Sequence, residues 1–429
     1  MYAGFDYGTS YCSIGLWRDG GATLVPLEEG STLIASTLYA PKLQLELEHR
    51  DDSVLDMSAQ SFAALRFGQQ ALDAYLTDPT EGYFVKSPKS FLGAPGLNED
   101  VKNRFILVVA AMMGNVKRYA DEFAGEEITR VVIGRPVNFQ GTGGDAENQQ
   151  ALSMLIAAAH EAGFVEVSFL FEPMAAAMEY ESTIDEEQKV LVVDVGGGTT
   201  DCSFVCVGPE HRGSKNREAD VLGHSGERLG GNDYDQMLAL QSVMPSLGFG
   251  DELVTGLPIP NTYYVDAVST NDVNAQQRFY STSTAKRLDV FVRDGCYPER
   301  VERLRTLRNK RSTYRLLREV ELAKIALSEE LSADVDLDFL EELYSQRCTR
   351  EQLKQGSERL LQRLQGLINE VRNQAGVDPD VVYLTGGMAR SAVVRAHLDT
   401  VLGGIEYLDS DHFASVTQGL TIWARELYD

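Results

Sequence analysis

The chain is short of several things, and each shortage narrows what it can be. It has five cysteines in 429 residues, Cys12, Cys202, Cys206, Cys296 and Cys348. Their number is odd, their positions are scattered and none forms a Cys-x-x-Cys pair, which argues against a disulfide framework and against zinc. Cys202 and Cys206, evenly spaced in a strand pattern, read as small core residues. The six histidines are dispersed, without a His-x-x-x-His helix pattern. No apolar run reaches the roughly 20 residues of a membrane span, so no membrane partner is expected. No basic-plus-apolar leader precedes the first strand, whose residues begin almost at Met1, and the expected location is cytoplasmic. Basic residues are scarce beside acidic ones, 39 against 64, and the net charge of −25 would repel nucleic acid.

What remains is a globular composition, 43% hydrophobic and 24% charged, in a chain long enough for two or more domains. Within it one pattern occurs twice. Gly4-Phe5-Asp6-Tyr7-Gly8-Thr9-Ser10 leads into an apolar stretch from Cys12 to Leu16, and Val190 to Asp194, then Val195-Gly196-Gly197-Gly198-Thr199-Thr200-Asp201, leads into Cys202 to Val205. Each copy is an apolar strand, an aspartate, a Gly/Thr turn and a second apolar strand. The aspartates are 188 positions apart (194 minus 6), far beyond a solenoid period. Two similar lobes, each presenting a phosphate-sized loop, would give this repetition.

The loop composition has a chemical reason. Polyphosphate needs backbone N–H donors at close range, and glycine leaves the approach open. The hydroxyls of Thr9, Ser10 and Thr199 add donors. A carboxylate at each strand end, Asp6 and Asp194, suits Mg²⁺ held through water. The plainer alternative is two ordinary hairpins with glycine in the turn. Finding both in one chain favours the phosphate reading.

Along the chain, 31–40 reads as strand, and 42–56 is charged and begins a peripheral part. Residues 100–122 and 146–162 have helical spacing, 128–134 and 167–171 are strands, and 190–195 opens the second lobe. Residues 236–300 read as a loop-rich insertion, 300–328 and 349–374 as long helices, 381–385 as a strand and 415–428 as a closing helix. Alternating strands and helices give an α/β fold with mixed sheets. Lobe I would run 1–187 with a peripheral part at about 42–103. Lobe II would run 188–411 with one at about 236–345, and 412–429 would be a helix packing back toward lobe I. Arg300, Arg303, Arg305, Arg308, Lys310, Arg311, Arg315 and Arg318 form a basic stretch, either a solvated helix face or a docking site for an acidic protein partner.

These motifs resemble the actin/hexokinase/heat-shock ATPase superfamily, and most closely the ATPase domain of DnaK-type (heat shock protein 70 family) chaperones. The segments 84–93 and Gly223-His224-Ser225-Gly226 are similar to the YegD-type DnaK-like branch in particular. The resemblance implies a duplicated actin-like, ribonuclease H-like α/β fold with two lobes around a nucleotide cleft. It implies that Asp6 to Ser10, with Gly8, is the first phosphate loop and that Gly196, Gly197, Gly198 and Thr199 form the second. Asp6 and Asp194 would hold Mg²⁺. Lys89 falls at the family's catalytic lysine, with Lys86 three residues away as the rival. Glu172 falls at the cleft glutamate, and with Asp201 it would order the attacking water, beside Thr199. Gly230 and Gly231 open the segment that follows the second loop. Glu321, Lys324 and Ser328 resemble a helix that grips adenosine, and their spacing puts all three on one helix face. Taken alone, Glu321 and Lys324 could be a surface ion pair. Gly386 and Gly387 admit the nucleoside, and Arg390 can stack on adenine.

The chain also departs from the family pattern. Gln149 stands where the interlobe relay has an arginine, Met388 where a small hydroxyl residue is usual, and Ile325 where a second stacking arginine is usual. The hairpin after the adenosine helix looks shortened, to about 333–339. The sequence stops after the closing helix, so no peptide-binding domain is expected. The expectation is an ATP/ADP-binding DnaK-like protein with slow Mg²⁺-dependent ATP hydrolysis, a molecular chaperone or nucleotide-dependent switch. The alternatives are a small-molecule kinase of the same superfamily and an actin-like filament former.

Overall fold

The computed structural model describes residues 1–41, 59–77, 79, 82–139, 145–214, 217–408 and 414–429. The charged segment 42–56 lies outside them. The chain divides into two compact units. The first comprises Met1–Gly230, Leu364–Ala389 and Val401–Asp429, and the second Gly231–Arg363 and Arg390–Thr400. The boundary expected at residue 187 falls within the first unit.

Two sheets of the same plan underlie the first unit. In the first, β1 (Tyr2–Tyr7), β2 (Tyr11–Arg18) and β3 (Gly21–Leu24) form an antiparallel meander, with β4 (Ile34–Ala35) paired to β2. A separate small sheet contains β5 (Thr37–Pro41), β6 (Arg66–Phe67) and β7 (Gly82–Lys86). β8 (Arg130–Arg135) and β9 (Glu166–Phe171) then extend the first sheet in parallel beside β1, giving the order β3-β2-β1-β8-β9. The helices of this stretch are α1 (Ala59–Ala64), α2 (Gly68–Thr77), α3 (Glu99–Ala124), α4 (Asp145–Glu161) and α5 (Glu172–Glu181).

From residue 188 the plan repeats. β10 (Gln188–Val195), β11 (Thr200–Val207) and β12 (Val221–Glu227) form a second antiparallel meander, and β15 (Val381–Thr385) and β16 (Glu406–Leu408) extend it in parallel, in the order β12-β11-β10-β15-β16. The repeated loops therefore close equivalent hairpins of two equivalent sheets.

Alternation along the strands places the core. Ala3, Phe5 and Tyr7 of β1, with Val131 and Ile133 of β8, pack with Val109, Met113 and Val116 of α3 and Leu155 of α4. Val132 points the other way, into a core with Val190 and Val192 of β10, the α5 run Met174–Met178, and Leu420 and Trp423 of the closing helix α15 (Ser415–Tyr428). Small residues let these elements approach. A Cβ at Gly4 would lie 2.7 Å from Thr421 Cα, and one at Gly419 would lie 2.9 Å from Ala175 Cα. Ala175 of α5 thus packs backbone to backbone against Gly419 of α15.

The second unit departs from the loop-rich reading of 236–300. It contains α6 (Gly231–Leu238), a π turn and a 3₁₀ turn over Ala239–Leu247, then α7 (Thr262–Val268), α8 (Val273–Tyr280) and α9 (Thr282–Asp294). The polar residues that read as loops are caps. Asp272 accepts from the N–H groups of Asn274 and Ala275, and Ser281 from that of Thr284. The long helix expected over 300–328 is two, α10 (Pro298–Asn309) and α11 (Thr313–Ala326), broken where Arg311 takes φ 51°. Its last turn stops short of Ser328. The hairpin of β13 (Ser332–Asp336) and β14 (Ser345–Thr349) follows. The helix expected over 349–374 is also two, α12 (Arg350–Gly356) and α13 (Glu358–Ala375), with Thr349 and Gln352 forming a capping box. α14 (Ala392–Leu402) lies between β15 and β16 in the chain.

The basic stretch is bonded within this unit. Arg300 pairs with Asp251 at 3.0 Å, Arg303 with Glu341 at 2.7 Å, and Arg305 with Asp289 at 3.1 Å. Arg308 donates to the carbonyls of Phe279, Tyr280 and Ser281, and Lys310 to that of Phe339. Arg311 and Arg315 lie over the rings of Tyr280 and Phe339.

Candidate functional site: two loops, a lysine and four carboxylates

The two glycine-threonine loops meet within the first unit. A Cβ on Gly197 would fall onto the Ser10 hydroxyl and lie 2.8 Å from Ser10 Cβ, and one on Gly198 would lie 2.7 Å from Thr9 Cγ2. Only glycine at these two positions lets the second loop close on Thr9 and Ser10 of the first. The second loop is braced from inside, the Gly196 N–H donating to Thr199 O at 2.9 Å. It is also braced from behind. The Thr200 hydroxyl donates to Leu229 O at 2.7 Å, and a Cβ on Gly230 would come 2.6 Å from the Gly198 nitrogen.

Beneath the loops lie the charged groups. Antiparallel pairing sets Asp194 directly opposite Asp201, a like-charged cross-strand pair that opposes the hairpin unless something compensates it. Lys89 Nζ sits 2.6 Å from Glu172 Oε1, with both side chains buried. Lys86 ends β7 and is half-buried. Glu172 opens α5, and Gly134 on β8 makes room for it, since a Cβ there would lie 3.0 Å from Glu172 Cγ. Gly386, at φ +82°, sits where a Cβ would crowd the Asp194 carboxylate and Val195 O.

The electrostatics follow from this crowding. The Asp6 carboxyl is pushed up to about 7, by removal from water first and by Glu172 second, with Lys89 opposing. Asp194 is pushed up to about 8 by the same desolvation and by Glu172 and Asp6. Asp6 and Asp194 are each half-buried. Asp201 is 2% exposed and well above the usual carboxylate range for the same reasons. Thr199 and Lys89 oppose the rise, and its Oδ1 is buried with no hydrogen-bond partner. Burial works against the Lys89 ammonium, but Glu172 and Asp6 outweigh it and hold Lys89 above its ordinary value.

Two serines that sequence reasoning missed tie these parts together. Ser36, 1% exposed, donates its hydroxyl to Gly8 O at 2.7 Å and its N–H to Ser10 O at 2.8 Å, while its carbonyl accepts from Ser87 N at 2.9 Å. Ser87 is buried in the left-handed region at φ 57°, ψ 50°, and starts the 3₁₀ turn Pro88–Phe91 that carries Lys89. A residue with a Cβ held there costs about 1–2 kcal/mol, strain of the kind found at functional sites. The Ser-Pro pair signals a turn, but nothing local marks it as left-handed. Nothing in the sequence marks Ser36.

The residues expected around adenosine divide between the units. Gly386 and Gly387 belong to the first, and Gly231, Glu321, Lys324, Ser328 and Arg390 to the second. Within the second unit Glu321 and Lys324 each hold a partner of their own. Glu321 takes Arg318 at 2.9 Å, and buried Lys324 takes Asp235 at 2.9 Å and Gly231 O at 3.0 Å. Ser328 lies in the turn beyond α11, where its carbonyl accepts from Arg350 at 3.3 Å. Of the departures from the family pattern, Ile325 is exposed, Met388 is buried and Gln149 faces solvent.

Two sheets of one topology, with equivalent aspartate–glycine hairpins brought together, define a duplicated actin-like α/β fold of the heat-shock ATPase kind. The Hsp70 protein family model matches residues 2–243 and 298–422, and the chain belongs to that family. It is similar to heat shock 70 kDa protein 13 of Mus musculus, 28% identical over 251 residues that cover 55% of this chain and 49% of the relative. The Bos taurus protein of the same name matches with the same identity and coverage. The match thus spans about half the length of these curated relatives. No helix among the described residues is long and apolar enough to cross a membrane.

Proposed function

We propose that this chain binds ATP and ADP with Mg²⁺ and hydrolyses ATP slowly, as an Hsp70-like chaperone or nucleotide-dependent switch. The observation that carries this reading is the set of four carboxylates, Asp6, Glu172, Asp194 and Asp201, around Lys89 beneath two loops whose glycines touch Thr9 and Ser10. A hairpin that places Asp194 against Asp201 and leaves Asp201 Oδ1 unpartnered fits a hydrated divalent cation. Asp6 and Asp194 would hold its shell. Bound Mg²⁺ would neutralise charge on the phosphate oxygens.

The chain's own groups would do the rest. Backbone N–H groups of Gly8 to Ser10 and Gly196 to Thr199 would hold phosphates. Lys89, fixed by Glu172, would donate to the transferring phosphoryl group, and Glu172 and Asp201 would orient water, with Thr199 positioning Asp201. The adenosine roles of Glu321, Lys324, Ser328, Gly386, Gly387 and Arg390 rest on the family resemblance. So do the lobe division at residue 187, the YegD-type affinity and a cytoplasmic location.

The test is thermal stability with Mg²⁺ and ATP, GTP or no nucleotide, since a ligand of the native state raises stability by mass action. ATP should raise it most. Equal melting in all three would overturn the proposal. An acidic partner at 300–318 would have to compete with the internal bonds of Arg303, Arg305 and Arg308. Reversing these three to glutamate and comparing captured proteins with and without ATP tests that part.

A further inference from the structure

At the far end of the β10–β11 hairpin from the phosphate loop, three different donor atoms converge. Glu187, Cys206 and His211 each offer one ligand atom, all within 4.8 Å of one another. Glu187 Oε2 lies 3.5 Å from His211 Nε2, and the Cys206 sulfur completes the group within the same 4.8 Å. The fold places them deliberately close. Glu187 directly precedes β10, Cys206 faces Lys189 across the strand pair, and His211 sits on a turn closed by its N–H donating to Gly208 O at 3.0 Å. Gly208 is needed there, because a Cβ would come 2.9 Å from Glu187 Cα.

We propose that Glu187, Cys206 and His211 bind a divalent transition-metal ion, zinc(II) by the chemistry of the donors. Sulfur, imidazole nitrogen and carboxylate oxygen are the zinc donor set, and three protein ligands leave one position for water. A tetrahedral ion with bonds of about 2.0–2.3 Å wants its ligand atoms about 3.3–3.8 Å apart, so small side-chain rotations suffice. The arrangement behind the histidine gives independent support. His211 Nδ1 lies 2.9 Å from Asp220 Oδ1, which leaves Nε2, the nitrogen beside Glu187, as the unprotonated one in the neutral ring. A carboxylate behind a ligand imidazole is the usual outer partner at such sites. Asp220 is itself fixed, accepting from Arg217 Nε at 2.5 Å, and Arg217 forks onto buried Glu181 at 2.8 and 2.9 Å.

Binding breaks the Cys206 S–H bond and forms a sulfur–metal bond. The proton leaves to water and nothing is oxidised. Metal and proton compete for the thiol sulfur, so affinity should rise with pH. Sequence spacing hid the site because its ligands come from a strand, the residue before its partner strand and a turn. Asp194 is seven residues from Glu187 along β10, about 23 Å at ~3.3 Å per residue, so this cation would be separate from one held at the phosphate loops.

The test is a cobalt(II) titration under reducing, anaerobic conditions, in a background carrying Cys296→Ser to remove the exposed thiol. Thiolate-to-cobalt charge-transfer absorption should saturate at one equivalent and be displaced by one equivalent of zinc(II). Cys206→Ser should abolish the band. His211→Gln and Glu187→Gln should weaken binding at least tenfold, and Asp220→Asn by about 10–100-fold while keeping the band. No band on folded protein, or one that survives Cys206→Ser, overturns the proposal. If Cys206→Ser fails to fold, unchanged cobalt affinity in both His211→Gln and Glu187→Gln overturns it instead.

Discussion

Lys89 Nζ lies 2.6 Å from Glu172 Oε1, an ion pair buried among three further carboxylates. The lysine holds that cluster together, and in the proposed reaction it is also the cation facing the transferring phosphoryl group. Lys89→Ala should therefore slow single-turnover ATP hydrolysis by about a hundredfold or more, the scale for one lost transition-state donor. ATP should still bind through the backbone loops. The nucleotide-free protein should be less stable by roughly 3–5 kcal/mol, because removing one partner strands a buried charge. Lys86→Ala should do neither, and a turnover defect in that variant alone would reassign the lysine.

Asp194 titrates at about 8 in the folded chain against 3.8 for the free side chain, so between those values the folded state holds a proton that the unfolded state has lost. Stability from this group is present at low pH and lost as pH rises through that window, and Asp6, raised for the same reasons, adds to the trend. Cation-free protein should melt at progressively lower temperature from about pH 4 to pH 8. Mg²⁺ with ADP should flatten the dependence. A melting curve in EDTA that rises over this range would contradict the crowding of these carboxylates.

The contact of the two loops can be tested by steric rescue. In Gly197→Ala the new methyl would meet Ser10 Oγ and lie 2.8 Å from Ser10 Cβ. Nucleotide affinity should fall by at least about tenfold, as for a loss of about 1.4 kcal/mol. Adding Ser10→Gly removes both obstructing atoms, so the double variant should recover part of the loss. Additive losses in the double-mutant cycle would mean that the loops do not meet there.

The parts of the site that were legible in sequence are those whose chemistry is local. Asp6 with Gly8 and Asp194 with Gly196 to Thr199 declare themselves because a strand end, a carboxylate and an open turn are contiguous. The duplicated sheets follow from that repeat. Ser36 and Ser87 stayed hidden because their roles are hydrogen bonds between distant segments and a left-handed backbone, which serine does not advertise. Helix existence was readable around 300–328 and 349–374, but the breaks at Arg311 and Ser357 were not. Capping residues such as Asp272 and Ser281 resemble loop residues until the helices that they start are seen.

The basic stretch offers a contrast between arginines that sequence treats alike. Arg305 pairs with Glu302 and Asp289, both well exposed, and such pairs are worth about 0–1 kcal/mol. Arg308 instead donates to three consecutive carbonyls, Phe279 O at 3.0 Å and Tyr280 O and Ser281 O at 2.8 Å, where α8 ends and α9 begins. The Phe279 and Tyr280 carbonyls lie at the C-terminal end of α8, where the helix supplies no further N–H, so the guanidinium supplies what the backbone lacks there, while Ser281 O also accepts from the Ala285 N–H at 3.2 Å. Arg308→Ala should destabilise the protein by about 1–3 kcal/mol, the cost of leaving such groups unsatisfied, and Arg308→Lys should restore little because an ammonium lacks the fork. Arg305→Ala should stay within about 1 kcal/mol of the parent. Denaturant unfolding of the three variants decides it, and equal midpoints for Arg305→Ala and Arg308→Ala would show that the carbonyl contacts carry no stability.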